Sequence, residues 1–385
     1  MPSIPDITQQ VIFGAGSLSR LGEVAAGLGG HQTFLVTDAG VRKAGIVDAA
    51  LSSLRSASIE CCVFDAVEEN PTTHHVEEAT ALARQLNLHS KNKSAEVVII
   101  GLGGGSAMDC AKGVNFLLSN GGRMEDYRAD GGVATKAMLP SIGVPTTAGT
   151  GSEAQRFALI SAADSHEKMA CGDTRARFRS VILDADLLRS VPTLTRCAVG
   201  MDALSHAIES FVSTSASAHS RFLSAQALCL LDANFQMSLA MPASSAVRGR
   251  MMLGAHWAGA AIERSMLGAT HACANPLTAR YGIVHGVAIG VLLPHVIRFN
   301  AATNKAAYLQ LSASLSTTGA AVTAVAERIE ILLRESAMPT NLSALGVARD
   351  DLPAMAATAA LHKTAQFNPR SVTAADLLVL YEAAF

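Results

Sequence analysis

The chain has 385 residues, of which 49% are hydrophobic and 16% are charged, and its formal net charge at pH 7 is −2. This composition is typical of a folded globular protein, and the length indicates two domains rather than one. The near-neutral charge and the lack of a long basic run argue against nucleic-acid and membrane partners and favour a small molecule.

The cysteines and the hydropathy pattern indicate the cellular compartment. The seven cysteines contain no CxxC pair, and most lie in apolar runs, which is typical of free thiols in a reducing environment. The segment MPSIPDITQQ has neither the positive flank nor the apolar core of a signal peptide. No apolar run reaches the ~18 residues of a transmembrane helix. We therefore expect a cytoplasmic enzyme or binding protein.

The first half of the chain alternates β-rich runs with helical segments. Strands are predicted at TFLVT (33–37), CCVFD (61–65), AEVVIIG (95–101) and MLPSIGVP (138–145). Helices are predicted near 41–57, after Asn70-Pro71 and from Ser106, and KNKS (91–94) is predicted to be a loop. Strands that alternate with helices pair in parallel, so we expect an open, mostly parallel, doubly wound sheet.

The second half of the chain has helical spacing and almost no strand-like segment. Its Ala/Leu/Met-rich stretches predict helices over 200–214, 217–240, 245–264, 285–299, 305–316 and 319–337. We place the boundary at about residue 185. The prediction is an α/β dinucleotide-binding domain at 1–185 and an all-helical metal-binding domain at 186–385.

A glycine-rich segment, GLGGGSAMD (101–109), directly follows the most apolar predicted strand and opens a helix. Glycines allow close approach of a ligand to the backbone, and the exposed N–H groups of a helix start favour an anion such as a pyrophosphate. A tight strand–helix turn that binds nothing explains the same pattern.

A second turn, PTTAGTGSE (145–153), supports the binding interpretation. It places threonines at the end of the next predicted strand, and two such turns at neighbouring strand ends form the crevice where open α/β sheets bind ligands. Asp38 follows the strand TFLVT and could accept hydrogen bonds from a ribose diol, which favours NAD over NADP. An N-cap or turn role for Asp38 is equally compatible with its position.

Four polar residues of the second half suggest a metal site. Asp202 and His206 are four apart and so lie on one helix face, while His271 and His285 lie in apolar surroundings. One carboxylate and three imidazoles suit a divalent cation such as Fe(II) or Zn(II). Taken singly, each histidine also fits a hydrogen-bonded core residue, but unpaired buried imidazoles are costly, and a metal removes that cost.

These motifs carry a resemblance to a known family, in the family's order. The chain resembles the iron-containing (group III) alcohol dehydrogenases of the dehydroquinate-synthase-like superfamily. The matching segments are VIFGAGSL (11–18), Asn70-Pro71-Thr72, GGGSAMDCAKG (103–113), PTTAGTGSE (145–153), LDADLL (183–188), GMDALSHAIES (200–210), HGVAIGVLLPHVIRFN (285–300) and NPR (368–370).

The resemblance implies an NAD-dependent enzyme that interconverts a small primary alcohol and its aldehyde, or a ketone, by hydride transfer in a cleft between two domains. It implies one divalent metal, with Fe(II) favoured over Zn(II), and either a homodimer joined through the N-terminal strand or a higher homo-oligomer. The metal ligands that it implies are Asp202, His206, His271 and His285. The cofactor-binding residues that it implies are Asp38, Asn70, Gly104, Gly105, Ser106, Asp109, Thr146, Thr147, Thr150, Lys168 and Leu187.

The chain departs from the family pattern near the expected active site. Asn275 stands where many relatives carry a second histidine, and an amide cannot act as a general base. A water, a cofactor ribose hydroxyl or Tyr281 would then carry the proton. The candidate substrate pocket comprises Gln155, Arg156, Phe157, Ile262 and Arg264. An inward-facing arginine would suit an anionic substrate, whereas solvated arginines would carry no such meaning.

Three other functions compete with alcohol oxidation. A maleylacetate-reductase-like enzyme would reduce an anionic oxoacid, but that branch lacks the full metal set that is present here. A dehydroquinate-synthase-like lyase would lack GMDALSHAIES. A non-catalytic NAD-binding protein would explain Asn275, although hydride transfer does not strictly need a histidine there.

Overall fold

The computed structural model describes residues 9–86, 97–128, 134–164, 167–315 and 321–385. The loop predicted at 91–94 and most of the segment MPSIPDITQQ lie outside the described residues. The chain forms two compact units. The first comprises Met1–Thr147 and Ser152–Ser190, and the second comprises Ala148–Gly151 and Val191–Phe385.

The first unit is built on a six-stranded sheet. The described residues of this unit form eight strands, six in this sheet and two in a second one: β1 (Gln10–Phe13), β2 (Gln32–Val36), β3 (Glu60–Phe64), β4 (Val97–Gly103), β5 (Ser141–Pro145), β6 (Phe157–Ser161), β7 (Lys168–Gly172) and β8 (Ser180–Leu183). The sheet has the order β1-β8-β5-β4-β2-β3, and every pair in it is parallel. The predicted open parallel sheet is therefore confirmed. The antiparallel pair β6–β7 forms a separate ribbon that the sequence did not predict.

The helices of the first unit follow the strands. They are α1 (Leu21–Gly27), α2 (Ala39–Lys43), α3 (Ile46–Ser56), α4 (Thr73–Gln85) and α5 (Gly105–Asn120). The single helix predicted near 41–57 is wrong, because Gly45 separates α2 from α3. Gly45 has a left-handed backbone with φ +76°, which glycine adopts without the penalty a side chain would incur.

The core of the first unit explains the apolar run that predicted β4. All seven residues of β4 are buried, as expected for a central strand of a parallel sheet covered on both faces. Leu35, Ile100, Ile142 and Ile182, from four neighbouring strands, pack in one cluster with helix residues such as Leu54. This rigid centre holds the carboxyl ends of β2, β4 and β5 in fixed positions.

The second unit consists of helices and their connections, with no strand among its described residues. Its helices are α6 (Thr193–Val212), α7 (Ala218–Ala240), α8 (Ser245–Glu263), α9 (Ala269–Tyr281), α10 (His285–Ala301), α11 (Lys305–Ser312), α12 (Ala324–Glu335), α13 (Leu352–Leu361) and α14 (Ala374–Ala384). The α/β and all-helical fold classes are thus confirmed. Helices α9 and α13 were not predicted. None of the described helices is both long and apolar enough to cross a membrane.

The second unit also includes a short segment from the middle of the first. Residues 148–151 pack on α8, where Gly151 meets Gly259. A Cβ atom at Gly259 would lie 2.4 Å from the carbonyl oxygen of Gly151, so the two backbones touch without side chains.

Candidate active site

The four predicted metal ligands lie together in the second unit. Asp202 and His206 come from adjacent turns of α6, His271 from the first turn of α9 and His285 from the first residue of α10. The Nε2 atoms of His206, His271 and His285 lie 3.3, 3.5 and 3.9 Å from Oδ1 of Asp202. Three helices therefore converge on one carboxylate oxygen.

Burial and the neighbouring charges shift the pKa values of the clustered groups in different directions. Burial raises the pKa of Asp202, but the interaction with the imidazoles of His206, His271 and His285 outweighs burial and holds it well below its usual range. Burial lowers the pKa of His206, and Asp202 only partly opposes this effect. Burial also acts to lower the pKa of His271, yet the carboxylates of Asp202 and Glu209 raise it to about 9.

Glu209 orients His271, and the sequence did not predict this role. Glu209 is 3% exposed and accepts hydrogen bonds from the backbone N–H groups of Gly268 (3.0 Å) and Thr270 (2.7 Å). Its Oε2 also lies 2.7 Å from Nδ1 of His271. A carboxylate only accepts, so Nδ1 carries a proton, and in the neutral ring the Nε2 lone pair faces Asp202. Metal-binding histidines need this arrangement.

The residues fit a divalent cation. Oδ1 of Asp202 and Nε2 of His271 are buried and have no hydrogen-bond partner among the described residues. Two such atoms are costly to leave unsatisfied, and a cation between them would remove the cost. One ligand atom each from Asp202, His271 and His285 lies within 4.8 Å of the others.

Gly286 sets the position of His285. A Cβ atom at Gly286 would lie 2.0 Å from the carbonyl oxygen of Ala198, so only glycine allows the start of α10 to touch α6. The side chain of His285 is 28% exposed, against 7% for Asp202. The cluster is therefore open to a small molecule on the His285 side.

The glycine-rich turn brings several predicted cofactor residues together in the first unit. β4 ends at Gly103, Gly104 precedes the first turn of α5, and Gly105 and Ser106 begin that helix. The backbone N–H of Thr146, which follows β5, donates to the carbonyl of Gly103 (2.8 Å). The side chain of Thr147 lies 3.7 Å from the Cβ position of Gly104.

Asp38 caps a helix and also borders the glycine-rich turn. Its Oδ1 accepts a hydrogen bond from the N–H of Val41 (2.9 Å) and caps α2. Its Oδ2 lies 3.2 Å from the position that a Cβ of Gly103 would occupy. The carboxylate thus borders the glycine-rich turn, and its N-cap role is confirmed.

A buried lysine, Lys112, which the sequence did not indicate as a site residue, holds the two turns together. The Nζ of Lys112 donates to Oγ (2.7 Å) and the carbonyl (2.8 Å) of Ser152 and to the carbonyl of Phe157 (2.6 Å). It also lies 3.4 Å from Oδ1 of Asp109, which accepts from Oγ of Ser152 (2.5 Å). Asp109 is therefore part of a buried polar network that stabilises the glycine-rich turn.

The remaining predicted cofactor residues are more dispersed. The Nζ of Lys168 lies 3.4 Å from Oδ1 of Asn70, so these two are neighbours. Leu187 packs in the core cluster of the first unit. Thr150 lies in the segment that belongs to the second unit.

The predicted pocket residues fall in both units. In the first unit, the guanidinium carbon of Arg156 lies 5.6 Å from the centre of the Phe157 ring, and Gln155 precedes them. In the second unit, Ile262 is buried near the end of α8, and Arg264 follows that helix.

Asn275 and Tyr281 are both engaged with other side chains. The amide of Asn275 lies 2.7 Å from Nε2 of His362. The hydroxyl of Tyr281 bonds to the carboxylate of Asp351 and accepts from the N–H of Ala348 (3.1 Å).

Family models match both parts of the chain. A model described as iron-containing alcohol dehydrogenase matches residues 8–185, and one described as the C-terminal part of the Fe-containing alcohol dehydrogenase family matches residues 196–385. The 1,3-propanediol dehydrogenase of Klebsiella pneumoniae is 34% identical over 97% of this chain and 96% of its own.

Solved structures agree with this assignment. A crystal structure of 1,3-propanediol oxidoreductase has a TM-score of 0.91 and 32% identity, and covers 98% of both chains. The sulfoacetaldehyde reductase from Bifidobacterium kashiwanohense, solved in complex with NAD+, has a TM-score of 0.88 and 26% identity over 99% of both chains. The chain therefore belongs to the iron-containing alcohol dehydrogenase family and is an oxidoreductase of alcohols and aldehydes.

Proposed function

We propose that the protein is a metal- and NAD-dependent dehydrogenase that interconverts a small primary alcohol and its aldehyde. The observation that carries this proposal is the convergence of three imidazole Nε2 atoms on Oδ1 of Asp202 within 3.9 Å. In this proposal the first unit binds the cofactor and the second binds the metal.

The second unit would hold the cation through Asp202, His206, His271 and His285. A divalent cation bound there supplies Lewis acidity toward the alcohol oxygen, and NAD accepts the hydride. Fe(II) is the favoured ion because of the family, and Zn(II) suits the same ligands. Glu209 keeps the Nε2 lone pair of His271 directed at the cluster.

The first unit would hold NAD at the ends of β2, β4 and β5. Gly105 and Ser106 begin the 16-residue helix α5, and their backbone N–H groups would donate hydrogen bonds to a pyrophosphate. The carboxylate of Asp38 would accept from ribose hydroxyls and would repel the extra phosphate of NADP. The relative solved with NAD+ supports the same cofactor.

We also propose that the protein is a cytoplasmic homodimer. Among the described residues β1 is an edge strand, and its Val11 and Phe13 are 41% and 49% exposed, so pairing with a second copy would cover them. All seven cysteines are free, which supports a reducing compartment. Light scattering would give a dimer mass, and Phe13→Lys should shift it toward the monomer.

Elemental analysis of anaerobically purified protein tests the central proposal. We expect stoichiometric Fe or Zn in the wild type, loss of the metal in His271→Ala, and oxidation of short primary alcohols with NAD in preference to NADP. A metal-free wild type that binds neither added Fe(II) nor Zn(II) would contradict it.

A further inference from the structure

The side-chain amide of Asn275 has one end that is hydrogen-bonded and one end that is not. One end of its amide lies 2.7 Å from Nε2 of His362, and no other hydrogen bond is made by Asn275 to the described residues. Asn275 is only partly buried, and neither amide atom is a buried atom without a partner. The second end of the amide therefore faces accessible space.

The neighbours of His362 determine which atom of the Asn275 amide faces its ring. Nδ1 of His362 faces the backbone N–H of Thr364 at 3.4 Å and the hydroxyl of the same residue at 2.9 Å. The hydroxyl can donate or accept, but the backbone N–H can only donate, so Nδ1 is the acceptor. The neutral ring then carries its proton on Nε2.

The tautomer of His362 fixes the orientation of the Asn275 amide. Because Nε2–H donates, the atom of Asn275 that faces it must be the carbonyl oxygen, since oxygen and nitrogen of an amide are assigned from their hydrogen bonds. The NH2 group of Asn275 then points into the accessible space. It is a neutral hydrogen-bond donor in a fixed position.

The location of this donor relates it to the metal cluster. Asn275 follows His271 by four residues in α9, so both side chains lie on the same helix face, with Cβ atoms about 5–6 Å apart. A three-carbon chain with an oxygen at each end spans a comparable distance.

We propose that Asn275, oriented by His362, is a specificity residue that binds a second hydroxyl oxygen of the substrate. The preferred substrate is then a short diol, or the corresponding hydroxyaldehyde, with its far oxygen on the Asn275 amide. The donor is uncharged, which favours a hydroxyl over a carboxylate or sulfonate. This inference rests on the proposed function, because the reacting oxygen must lie at the metal cluster.

A ratio of specificity constants tests the proposal. The wild type, Asn275→Ala, His362→Leu, His362→Gln and the Asn275→Ala/His362→Leu double variant are compared with NAD on propane-1,3-diol and propan-1-ol. We expect the diol-to-propanol ratio of kcat/KM to fall about 5- to 10-fold in Asn275→Ala, as expected for one lost hydrogen bond. His362→Leu should lower the ratio similarly, and the double variant should lower it no further.

His362→Gln is the conservative control. A glutamine can present an N–H near the place of Nε2–H, so the wild-type ratio should be retained, whereas a purely structural role of His362 would not predict this rescue. An unchanged ratio in Asn275→Ala, or additive losses in the double variant, would overturn the proposal. A metal-loaded wild type that oxidises neither alcohol would instead refute the proposed function.

Discussion

Replacing Glu209 by glutamine should weaken metal binding although Glu209 is not a metal ligand. The carboxylate accepts three hydrogen bonds, two on Oε2 from Gly268 N–H and His271 Nδ1–H and one on Oε1 from Thr270 N–H. Glutamine offers one oxygen and one NH2 group. No orientation of the amide can therefore satisfy all three donors.

Each orientation has a separate cost. If the glutamine oxygen takes the place of Oε2, its NH2 group faces the N–H of Thr270, and one buried hydrogen bond to a charged group, about 1.5–3 kcal/mol, is lost. If the NH2 group takes that place, His271 must accept at Nδ1 and carry its proton on Nε2, where it cannot bind a cation. Loss of such an orienting partner typically weakens metal binding 10- to 100-fold, or about 1.4–2.7 kcal/mol.

The assay separates metal affinity from fold stability. Metal dissociation constants come from competition with a chelator, and stability comes from urea unfolding of the metal-free protein. Asp232→Asn is the matched control, because Asp232 is a buried carboxylate of the same unit whose partner is Arg328 at 2.5 Å. It should lose stability but keep its metal affinity. A Glu209→Gln protein with wild-type metal affinity would refute the orienting role.

Three further changes have defined outcomes. Gly286→Ala forces a Cβ into a backbone carbonyl of α6 and should cost about 1–3 kcal/mol in urea unfolding and weaken metal binding, whereas Gly27→Ala, which enters open space, should do neither. Lys112→Met removes a buried donor from three acceptors, so the midpoint of urea unfolding should fall and the KM for NAD should rise. An unchanged midpoint would contradict the stabilising role of the buried network. Iodoacetamide should label exposed Cys229 first. Burial raises the pKa of the Cys61 thiol to about 11, so the labelling rate of Cys61 should increase about tenfold per pH unit below that value. Peptide mass spectrometry measures the labelling of both cysteines.

The sequence was most informative where chemistry and local spacing coincide. Asp202 and His206 share a helix face by their four-residue spacing, and the apolar surroundings of His271 and His285 raised the question of what would satisfy the imidazoles. The structure places the Nε2 atoms of all three histidines within 3.9 Å of Oδ1 of Asp202. The parallel sheet was predictable because strands and helices alternate in short, regular segments.

Features that depend on tertiary contacts were not predictable. Glu209 lies seven residues after Asp202, so in the sequence it is one more polar residue of α6. Its role depends on the backbone N–H groups at the start of α9, which only the folded structure brings to it. The role of Lys112 also depends on tertiary contacts, because its acceptors lie 40 and 45 residues away along the chain. The pair of Asn275 and His362 joins residues 87 apart, which no local pattern reveals.

The contact between Gly151 and Gly259 limits how this chain can be divided or recombined. The family models split the chain into two contiguous blocks, yet the second unit includes residues 148–151 from within the first block. A fragment that begins at residue 191 would leave α8 with an unfilled groove at Gly259. A chimera of two relatives would set one parent's turn against the other parent's helix. Segment 148–151 and α8 must therefore be inherited together, whichever parent supplies the rest.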